Sequence, residues 1–220
     1  EEGRQILGNI RKVLVYLLAN VTDGLILIGG SIIAGVPLPL TALQILWVNF
    51  FSDSFPAIAF AFEKDADSLA HHPDRKRMVL FSPLMKFLIL IIGTSTSGLI
   101  LLVYFVLLRM GYEPHIVRTF IFAAFGTYTL LVAFSVRSLD KSIFSYPLLS
   151  NRYLTGGIAI GFGLMAAAVY IPPLQALFGT VSLSLPWAGG VLLVGLVSIS
   201  LIELAKYFFK FFSQRIKITP

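Results

Sequence analysis

Apolar residues gather into six long runs along the chain, covering residues 13–35, 43–62, 87–108, 119–136, 154–171 and 187–205. Each approaches the roughly 20 apolar residues that a helix needs to cross the hydrocarbon of a bilayer. Lipid offers no partner to a free backbone N–H or C=O, so spanning segments are helices or closed barrels. A barrel needs short alternating strands, and these runs do not alternate. The pattern predicts an all-α membrane protein, a six-transmembrane-helix bundle in a single membrane domain. Prolines punctuate the gaps: Pro37, Pro39, Pro73, Pro83, Pro114, Pro147, Pro172, Pro173 and Pro186. The short connection 36–40 predicts a tight antiparallel hairpin between the first two spans, and 172–185 reads as a loop. Glycines at 156, 157, 161 and 163, and again at 189, 190 and 195, suit close helix packing.

Composition removes whole classes of function. Of the 220 residues, 57% are hydrophobic and 13% charged, against about 25% charged in an ordinary soluble domain. A soluble enzyme, a disordered tail and a nucleic-acid reader are excluded. The absence of cysteine excludes disulfides and thiolate chemistry. The net charge of +6 reports topology once the basic residues are placed. Fifteen Lys and Arg flank the even side of the spans, before the first, after the second, after the fourth and after the sixth. The other side has Arg109 and Arg118. Excess positive charge marks the cytoplasmic face, so both termini are expected there. The plasma membrane is the default location. The chain starts at Glu1 with no signal-peptide features, so an excerpt or a processed product is expected.

Two carboxylates interrupt the apolar runs at mid-span: Asp23 in the first and Asp53 in the second. The hairpin puts them at similar depth. A charge there costs at least ~2.5 kcal/mol unless it faces a partner or a wet cavity. Two anions at one depth repel, and either a bound cation or a proton on one of them relieves this. The neighbours are rich in oxygen. Asn20 precedes Asp23 by three residues, and Asn49, Ser52 and Asp53 follow i, i+3, i+4 spacing. In an α-helix that spacing puts Asn49 and Asp53 on one face. Pro56 has no N–H and frees the Ser52 carbonyl. Such an oxygen set suits a hard cation.

Other readings compete at each position. Asn20-Val21-Thr22 is formally a glycosylation sequon, and Asn20–Gly24 could be a loop between two short helices. Asp53 could be a structural hydrogen-bonding group. Glu203, near the end of the last run and three residues before Lys206, reads as half of a terminal ion pair. His71-His72 reads as solvated loop.

Several stretches resemble P-type cation ATPases of the calcium-pump-like branch. Glu2-Gly3-Arg4, Asn9-Ile10-Arg11-Lys12 and Tyr16-Leu17-Leu18 resemble the entry to the family's fifth membrane helix. Residues 39–49, Pro-Leu-Thr-Ala-Leu-Gln-Ile-Leu-Trp-Val-Asn, resemble the start of the sixth. Ser52-Asp53-Ser54-Phe55-Pro56-Ala57 resembles its cation-binding stretch. The resemblance implies that the six spans are helices five to ten of such a pump and that Asn49, Ser52 and Asp53 are cation ligands. In the fifth helix the family's Asn and Glu align without a gap on Val21 and Gly24, one residue after Asn20 and Asp23; a bulge or a one-residue gap would restore the register. The family's eighth-helix Glu falls on Thr129, which implies one cation per cycle or a different ion.

The resemblance thus implies a transported cation, Ca²⁺ first and Na⁺, K⁺ or H⁺ next, held by Asp53, Asn49, Ser52, Asp23 and Asn20. ATP and Mg²⁺ would act only through phosphorylation, nucleotide and actuator domains that, with the first four membrane helices, are the implied partners beside lipid. The phosphorylation sequence Asp-Lys-Thr-Gly-Thr does not occur here. Glu63, Lys64, Asp65 and Asp67 fall where the family's loop touches the phosphorylation domain. The rival expectations are a self-sufficient secondary cation transporter or channel, and a non-transporting scaffold.

Overall fold

A computed structural model describes residues 2–63, 82–139 and 141–216. Lys64, Asp65, Asp67, His71 and His72 lie outside the described residues. All regular structure among the described residues is helical.

Helix α1 runs without interruption over Glu2–Ile33. At 1.5 Å per residue its 32 residues extend roughly 48 Å, well past the ~30 Å of a bilayer core. Asn20–Gly24 is therefore helix, not loop. No bulge interrupts α1 over Glu2–Ile33. The helix stops at Gly35, whose φ of +66° needs a residue without Cβ, and the Val36 N–H donates back to the Ser31 carbonyl at 3.1 Å.

The second run does not fold as one regular helix. It divides into α2 (Ala42–Trp47), a π-helical segment (Val48–Asp53) and α3 (Ser54–Ala61). Its start is fixed by a capping box: the Gln44 N–H donates to Thr41 Oγ1 at 3.2 Å, and the Thr41 N–H to Gln44 Oε1 at 2.9 Å. Pro56 removes a donor from the next turn. A π turn is a common response to such an interruption and is frequent at functional sites.

The remaining long helices are α4 (Pro83–Arg109), α5 (Pro114–Val136), α6 (Arg152–Tyr170) and α8 (Leu185–Ile216). Pro83 and Pro114 occupy first-turn positions where a missing N–H costs nothing. Ser82 and Asn151 cap α4 and α6, accepting from the Met85 and Leu154 N–H groups. The loop expected at 172–185 contains a short helix, α7 (Pro172–Phe178), because two prolines pre-set helical φ and Gly179 at φ +65° ends it. Among the described residues five helices, α1, α4, α5, α6 and α8, are long and apolar enough to cross a membrane.

Helix α5 is the hub, buried along almost its whole length and packed against α1, α4, α6, α8 and the π segment. Small residues let its neighbours approach. A Cβ on Gly161 would strike Leu130, and one on Gly195 would strike Leu131. Gly157 and Gly190 are similarly close to Phe55 and Phe120, whereas Gly156, Gly163 and Gly189 face open space. Two buried ion pairs brace one end of the bundle. Glu63 meets Arg137 at 2.8 Å, and Glu203 meets Lys206 at 3.0 Å. The Glu203–Lys206 pair forms, and its carboxylate also accepts from Ser135 and from the Ile143 N–H, tying α8 to the end of α5 and the loop beyond.

Candidate cation site

One face of α1 carries Tyr16, Ala19, Asn20, Asp23 and Leu27 at helical spacing, and all five are buried. That face meets the π segment, α4 and α5. Asn20 Nδ2 donates to Asp53 Oδ1 at 3.0 Å, joining the two acid-bearing helices at one depth. Asp23 follows one turn later on the same face, within coulombic reach of Asp53. Asp23 is 0% exposed and Asp53 4%.

Polar satisfaction at this point is lopsided. Asp53 has the Asn20 amide, whereas neither carboxylate oxygen of Asp23 has a hydrogen-bond partner, and Asn20 Oδ1 has none either. Neither acid is in an ion pair among the described residues. Buried oxygens are normally partnered, so three bare ones in one place leave acceptor capacity that a cation or a proton would satisfy. The described residues contain no cluster of three His, Cys, Asp or Glu side chains. A cation held here would draw on neutral oxygens for the rest of its shell, as hard cations do.

Ser52 is buried beside Asp53, and its side chain faces the α5 backbone near Gly126. The Ser52 carbonyl, left without a helical donor by Pro56, is reached by the Tyr16 hydroxyl at 3.0 Å. That hydroxyl lies equally close to the Thr129 carbonyl, at 2.9 Å. The freed carbonyl is thus held by a phenol and not left bare. Thr129 itself is buried, its hydroxyl donating to the Gly126 carbonyl at 2.9 Å.

Asn49 lies apart from this buried set. It is exposed, on the opening turn of the π segment. The four-residue spacing that aligns side chains in an α-helix does not do so where hydrogen bonds skip five residues. The structure therefore gathers Asn20, Asp23, Ser52 and Asp53, and leaves Asn49 on the outer side.

Three hydroxyls that the hydropathy pattern conceals stand beside Asp23: Ser97, Tyr128 and Thr96. All are fully buried. The signal for the two on α4 was the run Gly93-Thr94-Ser95-Thr96-Ser97-Gly98, a polar patch at the middle of an apolar helix.

Comparison with known proteins identifies the family. The family model for the C-terminus of cation-transporting ATPases matches residues 37–208. The chain is 30% identical over 224 residues to calcium-transporting ATPase 1 of Bacillus cereus, an alignment covering 94% of this chain and 25% of that protein. It is 33% identical over 190 residues to a calcium-transporting ATPase of Bacillus subtilis, covering 84% of this chain and 21% of the relative. With calcium-transporting ATPase type 2C member 2 of Mus musculus the identity is 34% over 221 residues, covering 97% and 23% respectively. The chain spans a quarter or less of the length of these relatives. Helices apolar enough to cross a bilayer, two buried acids at their centre and these matches lead to one assignment: the chain belongs to the P-type cation-transporting ATPases and corresponds to their C-terminal membrane portion.

Proposed function

We propose that this chain is the transmembrane part of an ATP-driven calcium pump, supplying mid-membrane ligands for the transported ion. The observation that carries the reading is the unpartnered Asp23 carboxylate, fully buried one turn from the Asn20–Asp53 contact. In this reading Asp23 and Asp53 provide charge, and Asn20, Ser52 and Asn49 provide neutral oxygens. The exposed position of Asn49 suits a ligand that completes the shell from the side where the first four helices of the pump would pack. Ca²⁺ is preferred over Na⁺, K⁺ or H⁺ because two carboxylates match a divalent charge and because the relatives named above carry calcium in their names.

The same reading makes 42–61 a sixth span, since it is helical throughout despite the π segment. With six spans both termini lie on the cytoplasmic side, as the distribution of Lys and Arg requires. The plasma membrane remains the default location. ATP and Mg²⁺ act through phosphorylation, nucleotide and actuator domains in the rest of the pump.

In the full-length pump, Asp53→Asn is expected to abolish Ca²⁺-dependent phosphorylation by ATP while phosphorylation by inorganic phosphate persists. The measurement is phosphoenzyme formation across a Ca²⁺ titration; wild-type Ca²⁺ dependence in this variant refutes the site.

A further inference from the structure

We infer that Gln44 of α2 is a positioning residue for the cation site: its amide, bonded to the carbonyl end of α7, fixes the roll of α2 and through it the aim of Ser52 and Asp53. The inference deepens the proposed function and rests on it.

Helix α2 has only six residues, roughly 9 Å of rod, too short to hold a direction of its own. Its Leu43 and Leu46 are exposed, and Gln44 is its one fully buried side chain. A buried amide needs partners, and Gln44 has them on two sides. Its Oε1 accepts from the Thr41 N–H at 2.9 Å, which belongs to the cap. Its Nε2 donates at 3.1 Å to the Phe178 carbonyl, 134 residues along the chain. That carbonyl belongs to the last turn of α7, where no helical donor follows. Trp47, three residues after Gln44, lays its ring 4.7 Å from the Phe178 ring. One face of α2 is thus fastened twice to the same residue.

The end of α7 is itself a fixed bracket. Gln175 Nε2 donates to the Val169 carbonyl and Thr180 Oγ1 to the Ala168 carbonyl, both at 2.6 Å, which ties it to α6. The Val181 N–H donates to Thr119 Oγ1 of α5 at 3.0 Å. Gln44 therefore refers α2 to the same two helices that flank the site: Ser52 lies against Gly126 of α5, and Phe55 against Gly157 of α6. Four residues after Gln44, the fully buried Val48 continues its face and opens the π segment, which Ser52 and Asp53 close. The rotation with which the chain enters that segment is set at Gln44, and the rotation with which it leaves directs Asp53 at Asn20. Apolar contact is non-directional and a hydrogen bond is not, so an amide fixes the roll where an apolar side chain would only fill the space.

The test uses the full-length pump with Ca²⁺ as probe. Gln44→Met keeps the length of the side chain and removes the bond to Phe178. It is expected to raise the half-saturating Ca²⁺ concentration for phosphorylation by ATP about fivefold, the effect of losing one buried hydrogen bond. Maximal phosphoenzyme and phosphorylation by inorganic phosphate should stay at wild-type level, which a folding defect would not allow. Thr41→Ala removes part of the cap and keeps the clamp, so its thermal midpoint should fall while its Ca²⁺ activation stays in place. Gly179→Ala approaches from the other side: its φ of +65° disfavours a Cβ, and a shift there displaces the Phe178 carbonyl. Its Ca²⁺ activation should move as in Gln44→Met, and the two changes together should move it no further. This arm carries the test if Gln44→Met fails to fold. Wild-type Ca²⁺ activation in Gln44→Met or in Gly179→Ala, or an equal shift in Thr41→Ala, overturns the positioning role; in a pump that loses Ca²⁺ dependence with Asp53→Asn, it leaves the proposed function standing. Wild-type Ca²⁺ dependence in Asp53→Asn overturns the site as a whole.

Discussion

A single phenol does more joining at the centre of this bundle than either acid. The Tyr16 hydroxyl faces two carbonyls from different helices, Ser52 at 3.0 Å and Thr129 at 2.9 Å, and its ring packs edge-on to Phe60 at 5.7 Å. Tyr16→Phe keeps the ring and strips the donor, leaving the Ser52 carbonyl bare while the Thr129 carbonyl keeps its place in the α5 ladder. The expected cost is about 1–3 kcal/mol, read as a lower thermal midpoint in detergent, with the α-helical content of the folded protein unchanged. The acids themselves were legible in the sequence because a charge within an apolar run stands out at once. Thr96 and Ser97 were not, because a hydroxyl that bonds its own helix passes unremarked among apolar neighbours. The exposure of Asn49 was hidden for a different reason: it depends on a π segment, and α-helical spacing was the only ruler the sequence provided.

Among the elements, the fit of α1 to α4 depends on the absence of one side chain. Gly93 has the Ala19 carbonyl 3.2 Å and Thr22 2.8 Å from where a Cβ would stand. Backbone cannot step aside as a side-chain tip can, so Gly93→Ala is expected to push the helices apart. The cost is about 1–3 kcal/mol of stability, and Ca²⁺ activation should weaken alongside it because Asp23 and Ser97 lie one turn beyond. A thermal midpoint and a Ca²⁺ titration on the same preparation check both. The long helices were readable from hydropathy because apolar length is a one-dimensional property. Their ends shifted where caps and first-turn prolines decide the boundary: Ser82 with Pro83 starts α4 earlier than the apolar run, and Pro114 does the same for α5. The short helix α7 was missed because two prolines were read as breakers and not as a first turn.

At the scale of the whole molecule, the end of α3 is fastened by a buried knot. Glu63 accepts from Arg137 Nε at 2.9 Å and from Asn151, while Arg137 also donates to the Pro147 and Leu148 carbonyls at 2.9 and 3.0 Å. Asn9 of α1 donates to the Glu63 carbonyl at 3.1 Å. Arg137→Met removes the buried Arg137–Glu63 ion pair together with the Arg137 contacts to Pro147 and Leu148, and is expected to cost about 3–5 kcal/mol. Adding Glu63→Gln should recover a large part of that loss, and a double-mutant cycle on thermal stability checks the coupling. None of this was legible in the sequence, since the partners lie 74 and 88 residues from Glu63. With one end of the α2–α3 path clamped by the knot and the other by the Thr41 cap, the wide turn at Val48–Asp53 acquires a mechanical meaning. It stores one residue of slack in a rod whose ends are nailed down. Drawing that slack tight would swing the side chains next to it through about 100° and slide them by about 1.5 Å. Asp53 sits at the lip of the slack, so its acid group can be re-aimed like a hinge pin while both anchors hold.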